Sequence, residues 1–215
     1  MTAQSIALKN PHLFGITLPD GTEAMGGDQL WYDDLWAQKA GCGPVAACNM
    51  VWYLSRHSPG LSALCDPAGA DQAAFVSLMK EMFTHITPGK GGIHSSALFA
   101  PGLERYCAKR DVPLYTACLE IPRKPRCSPS LEEARAFLVR WLGSGWPVAF
   151  LNLSNGRLRR PDSWHWVTII AVEAETLRVR ISDGGKLYEA NLGTWLQTSV
   201  LGGALVALHG DGCHP

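Results

Sequence analysis

The sequence lacks several features that would assign it quickly to a class. None of its seven cysteines forms a C-x-x-C pair, so a structural zinc cluster is not expected. No apolar run reaches the roughly 18 residues of a membrane-crossing helix. The opening stretch, "MTAQSIALKNPHLFG", has no basic segment followed by the apolar core of a secretion leader. Without an export signal, a disulfide framework is not expected either. Charge of one sign is also missing. Lysine and arginine balance aspartate and glutamate, and the formal net charge is zero. Nucleic acid or an anionic membrane as main partner would require a basic excess. The basic stretches "RKPR" (Arg123–Arg126) and "RLRR" (Arg157–Arg160) are short. There is no internal repeat and no low-complexity segment. These absences lead to the expectation of a cytoplasmic protein with free thiols, no nucleic-acid partner and no membrane insertion.

What is present is enough apolar residue to build a core. Of 215 residues, 47% are hydrophobic and 18% charged, which suits one domain spanning 1–215. The first 30 residues read as loops with one hairpin around "LPDGT". "PVAACNMVWYL" is apolar nearly all round, so the helix expected from Gly43 to about Arg56 is buried and central. A second helix is expected over Asp71–His85. A third is expected over Ser96–Lys109, with Pro101 as a break. "PLYTACLEI" reads as a strand and "PRKPRCSPS" as a proline-rich connector. Ser130 and Glu133 have capping-box spacing ahead of another helix that Gly143 closes. After Trp146 the runs become short and rich in β-branched residues: "PVAFLNLS", "HWVTIIAVE", "LRVRIS", "KLYEANL" and "GALVALHG". The turn signals "NG" and "DGG" separate them. A mostly helical half (1–145) followed by a mostly β half (146–215) is the α+β pattern, with an antiparallel sheet.

One cysteine stands apart. "GCGP" puts Cys42 at the expected start of the central helix. There, unpaired N–H groups and the positive end of the helix dipole favour a thiolate. Gly41 and Gly43 allow close approach to the backbone, Pro44 suits a first helical turn, and the Cys42 N–H can serve an oxyanion. Cys48 lies mid-helix among apolar neighbours and reads as packing, and Cys65, Cys107, Cys118 and Cys127 have no supporting context. A nucleophilic thiol needs a base, and the base needs an orienting group. Among the seven histidines, His165 opens the strand "HWVTIIAVE" just after a polar loop. His94 is a weaker candidate. By strand alternation, Trp164 and Trp166 point to the face opposite His165. If "HWVTIIAVE" and "LRVRIS" form a hairpin, the start of one strand lies beside the end of the next, bringing Asp183 to His165.

These stretches together resemble the papain-like cysteine peptidases, in particular the C39-like group. There, Cys-Gly-Pro opens the central helix, a G-x-P-V strand follows, then a strand opening with HWV or HYV, then a hairpin partner ending in Asp or Asn. The order agrees from about Gln29 to Trp195. The resemblance implies a papain-like α+β fold, with Cys42 as nucleophile, His165 as general base and Asp183 as its orienter. It implies thioester chemistry on an amide or peptide bond of a peptide or peptide-like substrate, with no metal or organic cofactor. An acyltransferase or amidase acting on a small peptide-like metabolite would use the same triad, and a non-catalytic binding protein the same scaffold. The family's oxyanion-hole glutamine has two candidates. Gln38, four residues before the cysteine, is preferred to Gln29, thirteen before it, and a backbone N–H is the third option. The glycine-rich "TPGKGGIHSS" is a candidate lid. "NGRLRRPDSW" is a candidate source of positive charge for an acidic substrate. The tail, with His209, Asp211, Cys213 and His214, reads as a frayed terminus rather than a metal site.

Overall fold

A computed structural model describes residues 5–65, 69–124 and 130–210. It bears out an α+β chain built on a large antiparallel sheet. In order, the chain forms β1 (Ser5–Ala7), β2 (Gly15–Thr17), β3 (Glu23–Met25), α1 (Leu35–Ala40), α2 (Cys42–His57), α3 (Gln72–His85) and α4 (Ser96–Lys109). There follow β4 (Tyr115–Ile121), α5 (Leu131–Gly143), β5 (Val148–Asn152), β6 (His165–Glu173), β7 (Arg178–Asp183), β8 (Lys186–Asn191), α6 (Leu192–Thr198) and β9 (Gly203–His209). The seven-stranded sheet runs β4-β9-β5-β6-β7-β8. β1 lies beside β6, pairing at Ala7↔Ala171 just beyond the last β5 pair, Val148↔Ile169. The "LPDGT" hairpin is β2–β3, a separate two-stranded sheet.

The helix starts follow from side chains that accept otherwise orphaned N–H groups. Asp34 caps α1 through Ala37 N–H, Asp71 caps α3 through Ala74 N–H, and Asn191 caps α6 through Thr194 N–H. Ser130 and Glu133 form the expected reciprocal capping box of α5. α2 and α4 have no such cap: Gly41, the N-cap of α2, has no side chain to accept a bond, and Ser95, the N-cap of α4, accepts none. α4 is not broken at Pro101. The missing N–H deprives only the Ala97 carbonyl, and both residues are exposed, so water can take that bond.

Every α2 residue from Cys42 to Leu54 is buried. Trp52 meets Phe75 of α3 edge-on, with ring centroids 5.0 Å apart, and Tyr53 stacks on Phe14 at 5.1 Å. On the sheet side, Asn49 Nδ2 donates to Thr168 Oγ1 of β6 at 3.2 Å, and its Oδ1 accepts from Gly27 N–H at 2.9 Å. The central strand β5 is buried at all its residues and β6 from Trp166 to Ile170. Both therefore read as continuous apolar runs rather than alternating ones.

The division into a helical half and a β half is incomplete. β1 and β4 come from the first half, and α6, which the β-rich reading did not include, interrupts the second. Asn191, the last but one residue of "KLYEANL", caps a new helix, so the chain turns helical at Leu192. The proline-rich connector falls largely on residues 125–129, outside the described residues, as does Cys127.

Gly203 shows how tightly β5 and β9 are held. A Cβ there would stand 1.8 Å from the Leu151 carbonyl oxygen, a backbone atom that cannot yield without breaking the sheet. Gly203→Ala is expected to destabilise the protein by about 3 kcal/mol or more. Urea unfolding of the two proteins measures it.

Candidate active site

The start of α2 and the start of β6 meet. Gly43 makes this approach possible: a Cβ would lie 3.2 Å from Ile93 and 3.4 Å from Trp166. Trp166 is fixed from two sides. Its Nε1 donates to the Ile93 carbonyl at 2.6 Å, and its ring stacks on Phe99 of α4 at 4.3 Å. His165, the residue before it, thereby sits at the end of α2. Its Nε2 donates to Asp183 Oδ1 at 2.7 Å, which leaves Nδ1 free on the side of the cavity that His165 shares with Cys42. The other Asp183 oxygen accepts from the Tyr188 hydroxyl at 3.0 Å. The hairpin expectation thus holds: β6 and β7 pair antiparallel, Thr168 opposite Ser182, and Asp183 reaches back to His165.

His165 and Asp183 are 19% and 23% exposed, so charge is costly there unless compensated. Burial disfavours the imidazolium. The hydrogen bond that His165 donates to Asp183, the adjacent Cys42 and the charges of both outweigh it, and the imidazole is raised to about 10. Burial likewise pushes the Asp183 carboxyl up. His165, the Tyr188 hydroxyl and the Arg160 charge together hold it below the usual carboxylate range. The Arg160 guanidinium lies over the Tyr188 ring, 5.7 Å from its centroid. Burial raises other thiols: Cys48 well above the ordinary value, Cys65 to about 11 and Cys107 to about 12.

The remaining candidates sort clearly. Gln38, the preferred oxyanion residue, does not line the cleft beside Cys42. Its Nε2 donates to the carbonyls of Tyr32 at 2.6 Å and Leu30 at 3.4 Å, so it braces the segment that precedes α1. That segment carries Gln29, and Gln29 does line the cleft with Cys42 and His165. Its Oε1 is buried without a hydrogen-bond partner among the described residues. A half-turn of the amide would put Nε2 in that place. Asp28, which accepts from Leu30 N–H at 2.9 Å and so caps a short 3-10 turn over Gln29–Trp31, and Asn49, through Gly27, hold the segment on the other side.

Other histidines are occupied elsewhere. His57 stacks on Tyr53, His85 meets Tyr106 edge-on, and His209 stacks on Trp141. His94 faces Trp164, with centroids 6.3 Å apart. Asp211, Cys213 and His214 lie outside the described residues. Trp164 departs from the strand expectation. At φ +58 it is left-handed, so alternation does not govern it, and its 55% exposed ring lines the same cleft as Cys42. Tyr188 is the partner that sequence reading missed. Its only signal was its place two residues into "KLYEANL", opposite Ile181 on β7.

The sequence matches no protein-family model and no curated protein.

The His165–Asp183 pair gives stability a definite pH dependence. Unfolded imidazole titrates near 6.5 and the folded group near 10, so the contribution is full below about pH 6.5 and is lost as pH rises towards 10. Asp183 acts in the opposite direction, its contribution lost only as pH falls through its lowered folded value. Urea unfolding at pH 6 and pH 9.5 is expected to show a loss of stability at the higher pH, and Asp183→Asn is expected to shrink that difference. An equal difference in both proteins would show that the pair does not hold the proton.

Proposed function

We propose that the protein is a papain-like cysteine hydrolase, similar to the C39-like group, that cleaves an amide or peptide bond through a Cys42–His165–Asp183 triad. One observation carries this reading. The thiol at the start of α2 lines one cavity with an imidazole whose Nε2 lies 2.7 Å from a carboxylate. A packing cysteine requires neither partner.

The chemistry follows from that order of groups. Cys42 gives its proton to His165, and the thiolate attacks the substrate carbonyl carbon, forming a C–S bond. The carbonyl oxygen takes the electron pair, stabilised by the Cys42 N–H and by the amide of Gln29, which replaces Gln38 in this role. As the tetrahedral species collapses, the C–N bond breaks and the departing nitrogen takes the proton from His165. Water then gives a proton back to His165 as it attacks the thioester carbonyl. The C–S bond breaks, and the acid leaves. Asp183 keeps the imidazole oriented with Nδ1 towards sulfur throughout, and Tyr188 orients Asp183.

A pool of mixed peptides analysed by mass spectrometry for new termini tests this reading. Turnover is expected from the native protein, with loss in Cys42→Ala and in His165→Ala while circular dichroism stays unchanged. Activity retained in either variant would sink the triad. Gln29→Ala is expected to slow turnover about a hundred-fold, the usual effect of losing one oxyanion donor, and Gln38→Ala less than ten-fold because it acts only through the brace. The reverse order would return the role to Gln38.

A further inference from the structure

Cys42 forms part of the wall between two cavities of opposite character. One, about 290 Å³, adds Asp28 and Asp162 to the His165–Asp183 side. The other, about 380 Å³, is lined by Lys39 of α1, Lys90, Gly91 and Gly92 of the glycine-rich loop, and Trp36 and Trp164. Neither lysine has a carboxylate partner among the described residues. Both indoles are exposed, Trp36 at 40% and Trp164 at 55%, although large aromatic rings gain most from burial. Trp164 is also kept left-handed, a conformation that bulky residues avoid and that recurs where backbone strain serves a site. Gly91 and Gly92 add no side chains, so this wall leaves the cavity open. Two unpaired cations and two uncovered rings thus surround a space whose wall includes Cys42. The loop "NGRLRRPDSW" contributes an acid and a ring to the cleft, Asp162 and Trp164, rather than its arginines.

Resting on Cys42 as nucleophile, we propose that the second cavity is the specificity subsite. It takes an acidic, apolar segment of the substrate: a carboxylate held by Lys39 and Lys90, with an aromatic or aliphatic group against Trp36 and Trp164. Asp28 and Asp162 repel an anion from the other arm. The pair of arms therefore fixes the direction in which the substrate lies across the thiol, as well as its composition. The substrate class is an acidic peptide or an N-acylated amino acid with a free carboxylate near the scissile amide.

Two thiol-directed probes that differ only in charge test this without needing the substrate. N-iodoacetyl-phenylalanine carries the carboxylate and the ring, and its carboxamide lacks the charge. Their rates at Cys42 are read peptide by peptide at low ionic strength. The ratio of anionic to neutral rate is expected to fall about five-fold in Lys39→Gln/Lys90→Gln, and the fall to disappear at molar salt. Arg178→Gln/Arg180→Gln removes the same charge from β7, outside both cavities, and is expected to leave the ratio within two-fold. Equal ratios in the two double variants would overturn the subsite while leaving the nucleophile intact. If Cys42 reacts no faster than the other cysteines with either probe, the nucleophile fails and the subsite with it.

Discussion

A helix that is apolar on every face has to be enclosed on every face, and α2 sets that demand for the whole chain. The sheet meets it through Thr168, α3 through Phe75, and the N-terminal segment through Phe14. Each of these contacts consumes a side that would otherwise be wet. The enclosure leaves α2 only its ends, and the N-terminal end is the one that carries Cys42. The reactive geometry is thus what remains open after the core has been packed. Position on this helix also separates two nearby thiols. Cys48, six residues further on, is fully enclosed, and burial pushes its thiol well above the ordinary value. Cys42 has an imidazole beside it.

The second constraint is electrostatic. A histidine that is 19% exposed would ordinarily shed its proton. Here each neighbour pulls the other way. Asp183 accepts from it, Cys42 lies beside it, and Asp183 is itself held ionised by Tyr188 and Arg160. The chain of bonds runs from the edge strand β8 through Asp183 to His165, so the outermost hairpin sets the charge state of the imidazole beside Cys42.

What was legible in the sequence followed from locality. The span of α2, its cysteine, the strand start at His165 and the hairpin return to Asp183 each depend on residues close along the chain, and periodicity finds those. The glutamine that lines the cleft was harder. Gln38 and Gln29 differ in sequence distance from Cys42, but what separates them is α1, a short helix whose Asp34 cap turns Gln38 back onto the Leu30 and Tyr32 carbonyls. The two lysines were illegible for the opposite reason. Their setting is made by segments dozens of residues apart, and no pattern along the chain marks them. Tyr188 is only five residues from Asp183, but strand pattern does not say which hydroxyl meets which carboxylate. Trp164 was misread because alternation assumes extended backbone, and its φ of +58 breaks that assumption.

Asn152 joins regions that otherwise look separate. Wholly buried at the end of β5, it donates to Asn155 Oδ1 and to the carbonyls of Pro161 and Asp162, and it accepts from the Trp195 indole of α6 at 2.8 Å. Trp195 in turn meets Phe150 edge-on at 4.7 Å. A single amide thus rivets the wall carrying Asp162 and Trp164 to a helix on the far side of the hairpin. The wall cannot swing as an independent flap: any displacement large enough to admit a bulky ligand must either break the rivet or be felt at the Trp195 indole. α6 therefore works as a mechanical anchor for the cleft wall, and the indole that anchors it is a built-in optical reporter of movement there.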